Sequence, residues 1–80
     1  MVLAIADEFV VDDKRFRLYA DDGWLLFREH PDCAECVGTI SKTALGYLVT
    51  AWARPGPLIF EETLEEAVDR LVAIDGSHGR

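Results

Sequence analysis

The densest run of reactive side chains in this 80-residue chain is His30-Pro31-Asp32-Cys33-Ala34-Glu35-Cys36-Val37-Gly38. Cys33 and Cys36 have the C-x-x-C spacing that lets two thiolates share one tetrahedral metal, and Gly38 stands where such knuckles turn backbone N–H groups toward sulfur. His30 offers a third ligand. A structural zinc takes four, so a carboxylate such as Asp32 or Glu35, or the same cysteine pair from a second chain, has to complete the set. The other histidine, His78, lies in the terminal segment. Zinc therefore stands as one reading beside a disulfide and two unligated thiols, the last favoured because complete sites usually show two such half-motifs. A redox role needs the pair at a helix N-terminus, whereas Val37-Gly38-Thr39-Ile40 reads as strand.

A second constellation joins arginines to aromatic rings. Asp22-Gly23 separates Arg17-Leu18-Tyr19-Ala20 from Trp24-Leu25-Leu26-Phe27, and Asp-Gly supplies the positive φ values of a two-residue type I′ turn. That loop predicts a register with Ala20 facing Leu25, Leu18 facing Phe27 and Phe16 facing Glu29 on the core face. Tyr19 then faces Leu26 and Arg17 faces Arg28 on the other side. Arg15, Arg17, Tyr19, Trp24 and Arg28 share that second face, where two opposed arginines call for an anion and the rings offer stacking. The competing reading, that arginine stems simply pack over the rings on a solvated sheet face, is the stronger of the two.

Other catalytic arrangements are missing from the sequence. Ser41 and Ser77 lack a nucleophile-elbow context, the carboxylates are too many to single out a pair, and no glycine-rich phosphate loop is present. The expectation is a non-enzyme. A formal net charge of −7 weighs against phosphate-backbone binding, because a basic face is what gains from counterion release. The acids Glu61, Glu62, Glu65, Glu66 and Asp69 crowd one helix start, where they complement the helix dipole.

The elements that must hold these groups are legible from pattern. Phe9-Val10-Val11, Asp12-Asp13 and Lys14 to Ala20 read as strand, turn, strand. After the Asp22-Gly23 hairpin and a polar loop from Glu29 to Glu35, Val37 to Ser41 and Tyr47 to Trp52 form a second meander around a turn at Thr43 to Gly46. In the Tyr47 strand both faces are apolar, which suits a strand with two neighbours. Pro55 and Pro57 donate nothing to a ladder, so Leu58-Ile59-Phe60 falls at an edge. Thr63-Leu64-Glu65-Glu66 is a capping box, with Thr63 as N-cap and Glu66 reaching back to the cap's N–H. Leu64, Ala67, Val68, Leu71, Val72 and Asp75 then follow the i, i+3, i+4, i+7, i+8 pattern of one buried helix face, over a helix from Thr63 to Ile74.

Eighty residues, half of them hydrophobic, make one domain with one small core. At this size about 60% of the unfolded surface is buried, so homo-oligomerisation is a live expectation. Residues 1–7 and 76–80 are the candidates for loose ends. No apolar run approaches the roughly 18 residues of a membrane span, and Met1 to Ala6 is short, lacks a basic flank and runs into Asp7-Glu8, so the expected compartment is the cytosol.

The stretch from Gly38 to Ile74, with Gly46-Tyr47, Phe60 and Thr63-Leu64-Glu65-Glu66-Ala67, resembles the strand-strand-strand-helix units of small phage and bacterial regulatory proteins. It is similar to HicB-type antitoxins and to the arm-binding domains of phage integrases, over about half the chain. The glycine-rich approach to the helix seen in HicB-like chains is replaced by Leu58-Ile59-Phe60-Glu61-Glu62, and the basic sheet of the integrase domains is missing from Tyr47 to Ala53. What the resemblance implies is an architecture and a regulatory setting, with no functional residue carried over. The expected fold is α+β: an antiparallel meander sheet of about five strands with one C-terminal helix packed on one face. The expected function is a protein-interaction or regulatory module with a protein partner or a second copy. The alternatives are nucleic-acid or anion binding on the arginine-aromatic face and a zinc-stabilised adaptor built on His30, Cys33 and Cys36.

Overall fold

The computed structural model describes residues 4–52, 56 and 58–78. Six strands run in chain order across one antiparallel sheet: β1 (Ala4–Val11), β2 (Lys14–Ala20), β3 (Trp24–Glu29), β4 (Ala34–Thr43), β5 (Gly46–Ala51) and β6 (Ile59–Glu61). The helix α1 (Leu64–His78) packs on one face, most closely over β4, β5 and β6. The result is a two-layer slab of 37 × 33 × 18 Å. This is the expected α+β meander, with β6 at the edge beside β5.

Strand alternation and the helix stripe build the core between them. Phe16, Leu18, Leu26, Val37, Ile40 and Val49 point from the sheet to Ala67, Val68 and Leu71 of α1. Each such side chain removed from water is worth about 1.5–3 kcal/mol, which is how a small domain offsets its chain entropy. The helix starts where the capping residue stands. The Thr63 hydroxyl accepts the Glu66 N–H at 3.1 Å, and the Ala67 N–H reaches the Thr63 carbonyl at 3.1 Å. Glu66 differs from the expected box in one respect, since its carboxylate accepts a hydrogen bond from the Thr63 hydroxyl (3.1 Å). The helix also continues past Ile74 through Gly76 to His78.

The first hairpin turn falls at Asp12-Asp13 as expected, and the second differs from expectation. Asp12 (φ 51°) and Asp13 (φ 67°) adopt the left-handed pair of a two-residue turn between β1 and β2. Between β2 and β3 the loop has three residues, Asp21, Asp22 and Gly23, and Ala20 pairs with Trp24. Gly23 is needed for a different reason: a Cβ there would lie 2.4 Å from the Ile40 carbonyl oxygen, where β4 passes.

That extra loop residue corrects the predicted register by one, and a one-residue slip turns every β3 side chain to the opposite face. Leu18 pairs with Leu26, Arg17 with Phe27, and Phe16 with Arg28. Arg17 and Arg28 are therefore not opposed. Electrostatics favours the observed register, because the expected one would send Glu29 instead of Arg28 toward Asp75 and the negative end of α1. A bulge completes the sheet: Leu26 pairs with Gly38 and Phe27 with Cys36, leaving Val37 as the extra residue on β4, buried in the core.

Candidate interaction surface

Among the described residues, none forms a second layer on the face of the sheet opposite α1. Its rows follow from register. Glu8, Arg17, Phe27 and Cys36 stand side by side on β1 to β4, with Ile5, Tyr19, Leu25, Thr39 and Thr50 in the next row. Leu48 and Phe60 are paired beyond them. Trp52 leaves the end of β5 with its N–H bonded to the Val37 carbonyl (3.1 Å), continues the outward alternation of Leu48 and Thr50, and is 63% exposed. Val10, 62% exposed, extends the same face on β1.

The five residues expected to share one binding face are divided by the corrected register. Arg15, Arg17 and Tyr19 lie on the outer face. Arg17 donates to Glu8 at 2.6 Å and to the Tyr19 hydroxyl at 3.4 Å, and these two partners hold its guanidinium above its ordinary pKa, the tyrosine bond contributing most. Tyr19 meets Phe27 edge to face, with ring centroids 5.5 Å apart. Trp24 and Arg28, by contrast, face α1. Trp24 leans on Tyr47 at 5.6 Å and packs against the core.

Arg28 organises a polar cluster at the C-terminal end of α1. Its Nη1 donates to both Asp75 carboxylate oxygens (2.7 and 2.6 Å), its Nη2 to Glu35 (2.6 Å), and its Nε approaches His30 Nε2 at 3.4 Å. Burial works against the charged guanidinium, but the hydrogen bonds and charges of Asp75 and Glu35 outweigh it and raise the pKa. Glu35 is held below the usual carboxylate range by His30 first and Arg28 second. Asp75, the polar member of the helix stripe, is only 9% exposed and is answered by this arginine.

The cysteines are separated by chemistry as well as position. Cys33 precedes β4, is exposed, and its carbonyl accepts the His30 N–H at 2.7 Å, closing the turn. Cys36 lies on the outer sheet face as a free thiol, donates to the Gly38 carbonyl at 3.8 Å, and is pushed up in pKa by burial. His30 turns to Glu35 (3.3 Å) and Arg28 instead. Among the described residues, no three His, Cys, Asp or Glu side chains converge as a metal site. Gly38 has a packing role that the knuckle reading overlooked: a Cβ there would meet the Thr50 oxygen at 2.3 Å and Leu71 Cδ2 at 2.7 Å.

A groove of about 330 Å³ between β1 and the start of α1 is lined by Phe9, Leu18, Leu64 and Val68 together with Asp7, Glu65 and Asp69. It presents no nucleophile, imidazole or cation. Sequence reasoning missed Leu25, Phe27 and Trp52 as surface residues; the run Trp24 to Phe27 is apolar throughout, so alternation alone does not mark its outward positions. No described helix is long and apolar enough to cross a membrane. Compared with known proteins, the chain matches no family model, no curated protein and no solved structure.

Proposed function

We propose that the chain is a non-catalytic protein-interaction module that binds through the outer face of its sheet. The observation behind this reading is a group of apolar and aromatic side chains, Tyr19, Leu25, Phe27, Leu48, Trp52 and Phe60, set among Cys36, Thr39 and Thr50 on the sheet face away from α1, with Trp52 63% exposed. Apolar side chains gathered on one exposed face mark interaction sites, and aromatic side chains are the usual anchors of interfaces. The likeness of Gly38 to Ile74 to HicB-type antitoxins points to a regulatory setting of phage or bacterial type.

The test compares capture by the immobilised full chain with capture by Trp52→Asp, Phe27→Asp and, as a control on the exposed side of α1, Ala73→Lys. A specific partner, a second copy included, should be held by the wild type and the control and lost from the outer-face variants. Equal capture by all four would overturn the reading. Because Arg15, Arg17 and Tyr19 remain together on this face, single-stranded oligonucleotides are the second probe. Binding that weakens steeply with salt and disappears in Arg15→Ala/Arg17→Ala would replace a protein partner with a nucleic acid.

A further inference from the structure

From charge and dimensions, we infer that the occupant of the outer face is a second copy of this chain, joined sheet to sheet about a two-fold axis. The inference rests on the interaction reading above and adds the identity of the partner. Charge is the first argument. The chain has fifteen acidic and eight basic residues, yet the described outer face carries Arg15 and Arg17 matched by Glu8 and Glu29. Glu29 lies close enough to add to the stabilisation of the Arg17 charge, and Glu8 bonds it directly. The excess of −7 therefore sits elsewhere, in the turns and along α1. Two copies meeting through any acidic surface repel, whereas two outer faces bring balanced charge together.

Placement within the face supports the same partner. The charged residues occupy β1, β2 and the far end of β3, while Leu25, Cys36, Thr39, Leu48, Thr50 and Phe60 make the half of the face toward β6 uncharged. An isologous interface is self-complementary, so a two-fold axis through the uncharged half packs that half against its own copy without opposing like charges.

Size is the second, independent argument. The domain measures 37 × 33 Å across its broad side, so covering most of the outer face supplies the roughly 800 Å² per partner of a stable interface. The slab is only 18 Å thick, and stacking a second sheet about 10 Å away gives a four-layer assembly that covers the sheet face left open by the described residues.

The experiment is sedimentation of the full chain over roughly 1–100 μM, a range that brackets an ordinary micromolar association. The wild type and Ala73→Lys should reach twice the chain mass, and Phe27→Asp should stay at the single-chain mass. If Phe27→Asp loses its circular dichroism signal, Trp52→Asp, at a position already largely in solvent, serves instead. A wild-type monomer at the highest concentration overturns the second-copy inference, as does a dimer untouched by a folded outer-face variant. The dye bis-ANS separates the two levels of the argument. Dye binding to a monomer, lost in Trp52→Asp, leaves the face open for a different protein and the interaction reading intact; a monomer that binds no dye removes both.

Discussion

Arg28, on β3, closes over Asp75 in the last turns of α1, with one guanidinium nitrogen 2.7 and 2.6 Å from the two carboxylate oxygens. The pair ties strand to helix across 47 residues of chain and explains an acid in an otherwise apolar helix stripe. A carboxylate near a helix C-terminus opposes the macrodipole, and a cation beside it reverses that sign.

Removing Asp75 alone strands a guanidinium that is 19% exposed. Fully buried pairs cost about 3–5 kcal/mol to break, and Arg28 keeps Glu35, so Asp75→Ala should cost about 2–3 kcal/mol. Arg28→Met/Asp75→Leu removes both charges and should recover to within about 1 kcal/mol of wild type. Denaturant titration of these two variants, with Arg28→Met and Asp75→Leu alone, measures the coupling. Additive losses would mean that the two side chains do not depend on each other.

How much of this was legible depends on which physical signal each residue carries. Thr63 and the spacing Leu64, Ala67, Val68, Leu71, Val72 and Asp75 specify helix start and buried face with local chemistry, and all six stripe positions face the sheet. The β3 register has no such local signal. Trp24-Leu25-Leu26-Phe27 satisfies either face, and Asp22-Gly23 suits a two-residue turn as well as the end of a three-residue loop. The decision is tertiary: β4 passes against Gly23, and Asp75 needs Arg28 and not Glu29. One slipped residue was enough to divide the predicted arginine-aromatic site between the two faces.

Glu35 gives a pH prediction with a definite sign. Its pKa is lower in the folded chain than in the unfolded one, through His30 and then Arg28. Its stabilising contribution is therefore complete above the ordinary carboxylate pKa and is lost as pH falls through the lowered value. Wild type should be more stable than Glu35→Gln at neutral pH, and the difference should close only within that acidic window. Melting temperatures recorded across the acid range check this, and a gap that persists below the window would assign the effect to something other than the charge.

The helix cap gives a local test. Thr63 both accepts the Glu66 N–H and donates to its carboxylate, so Thr63→Ala removes two interactions and should cost about 1 kcal/mol. Glu62→Ala, one residue outside the cap and exposed, should cost much less. Equal losses in a chemical melt would move the start of the helix away from Thr63.

Gly38 carries the sharpest steric prediction. It sits beside the β4 bulge and under Leu71 of α1, and an added methyl would lie 2.3 Å from the Thr50 carbonyl oxygen and 3.2 Å from Ala51 Cα, both backbone atoms of β5. Leu71 Cδ2, at 2.7 Å, can rotate away, but a neighbouring strand cannot. Overpacking a well-packed core ordinarily costs about 1–3 kcal/mol, and a clash with sheet backbone belongs at or above the top of that range. Gly38→Ala should therefore lower stability by about 3 kcal/mol, while Gly56→Ala, with open space around it, should change it by less than about 0.5 kcal/mol. Thermal and urea unfolding of both variants decide the matter. The same pair also addresses the knuckle reading of Gly38: if the glycine serves metal binding and not packing, Gly38→Ala would unfold like wild type in the presence of a chelator, whereas a packing role makes its loss of stability independent of chelator and of added zinc.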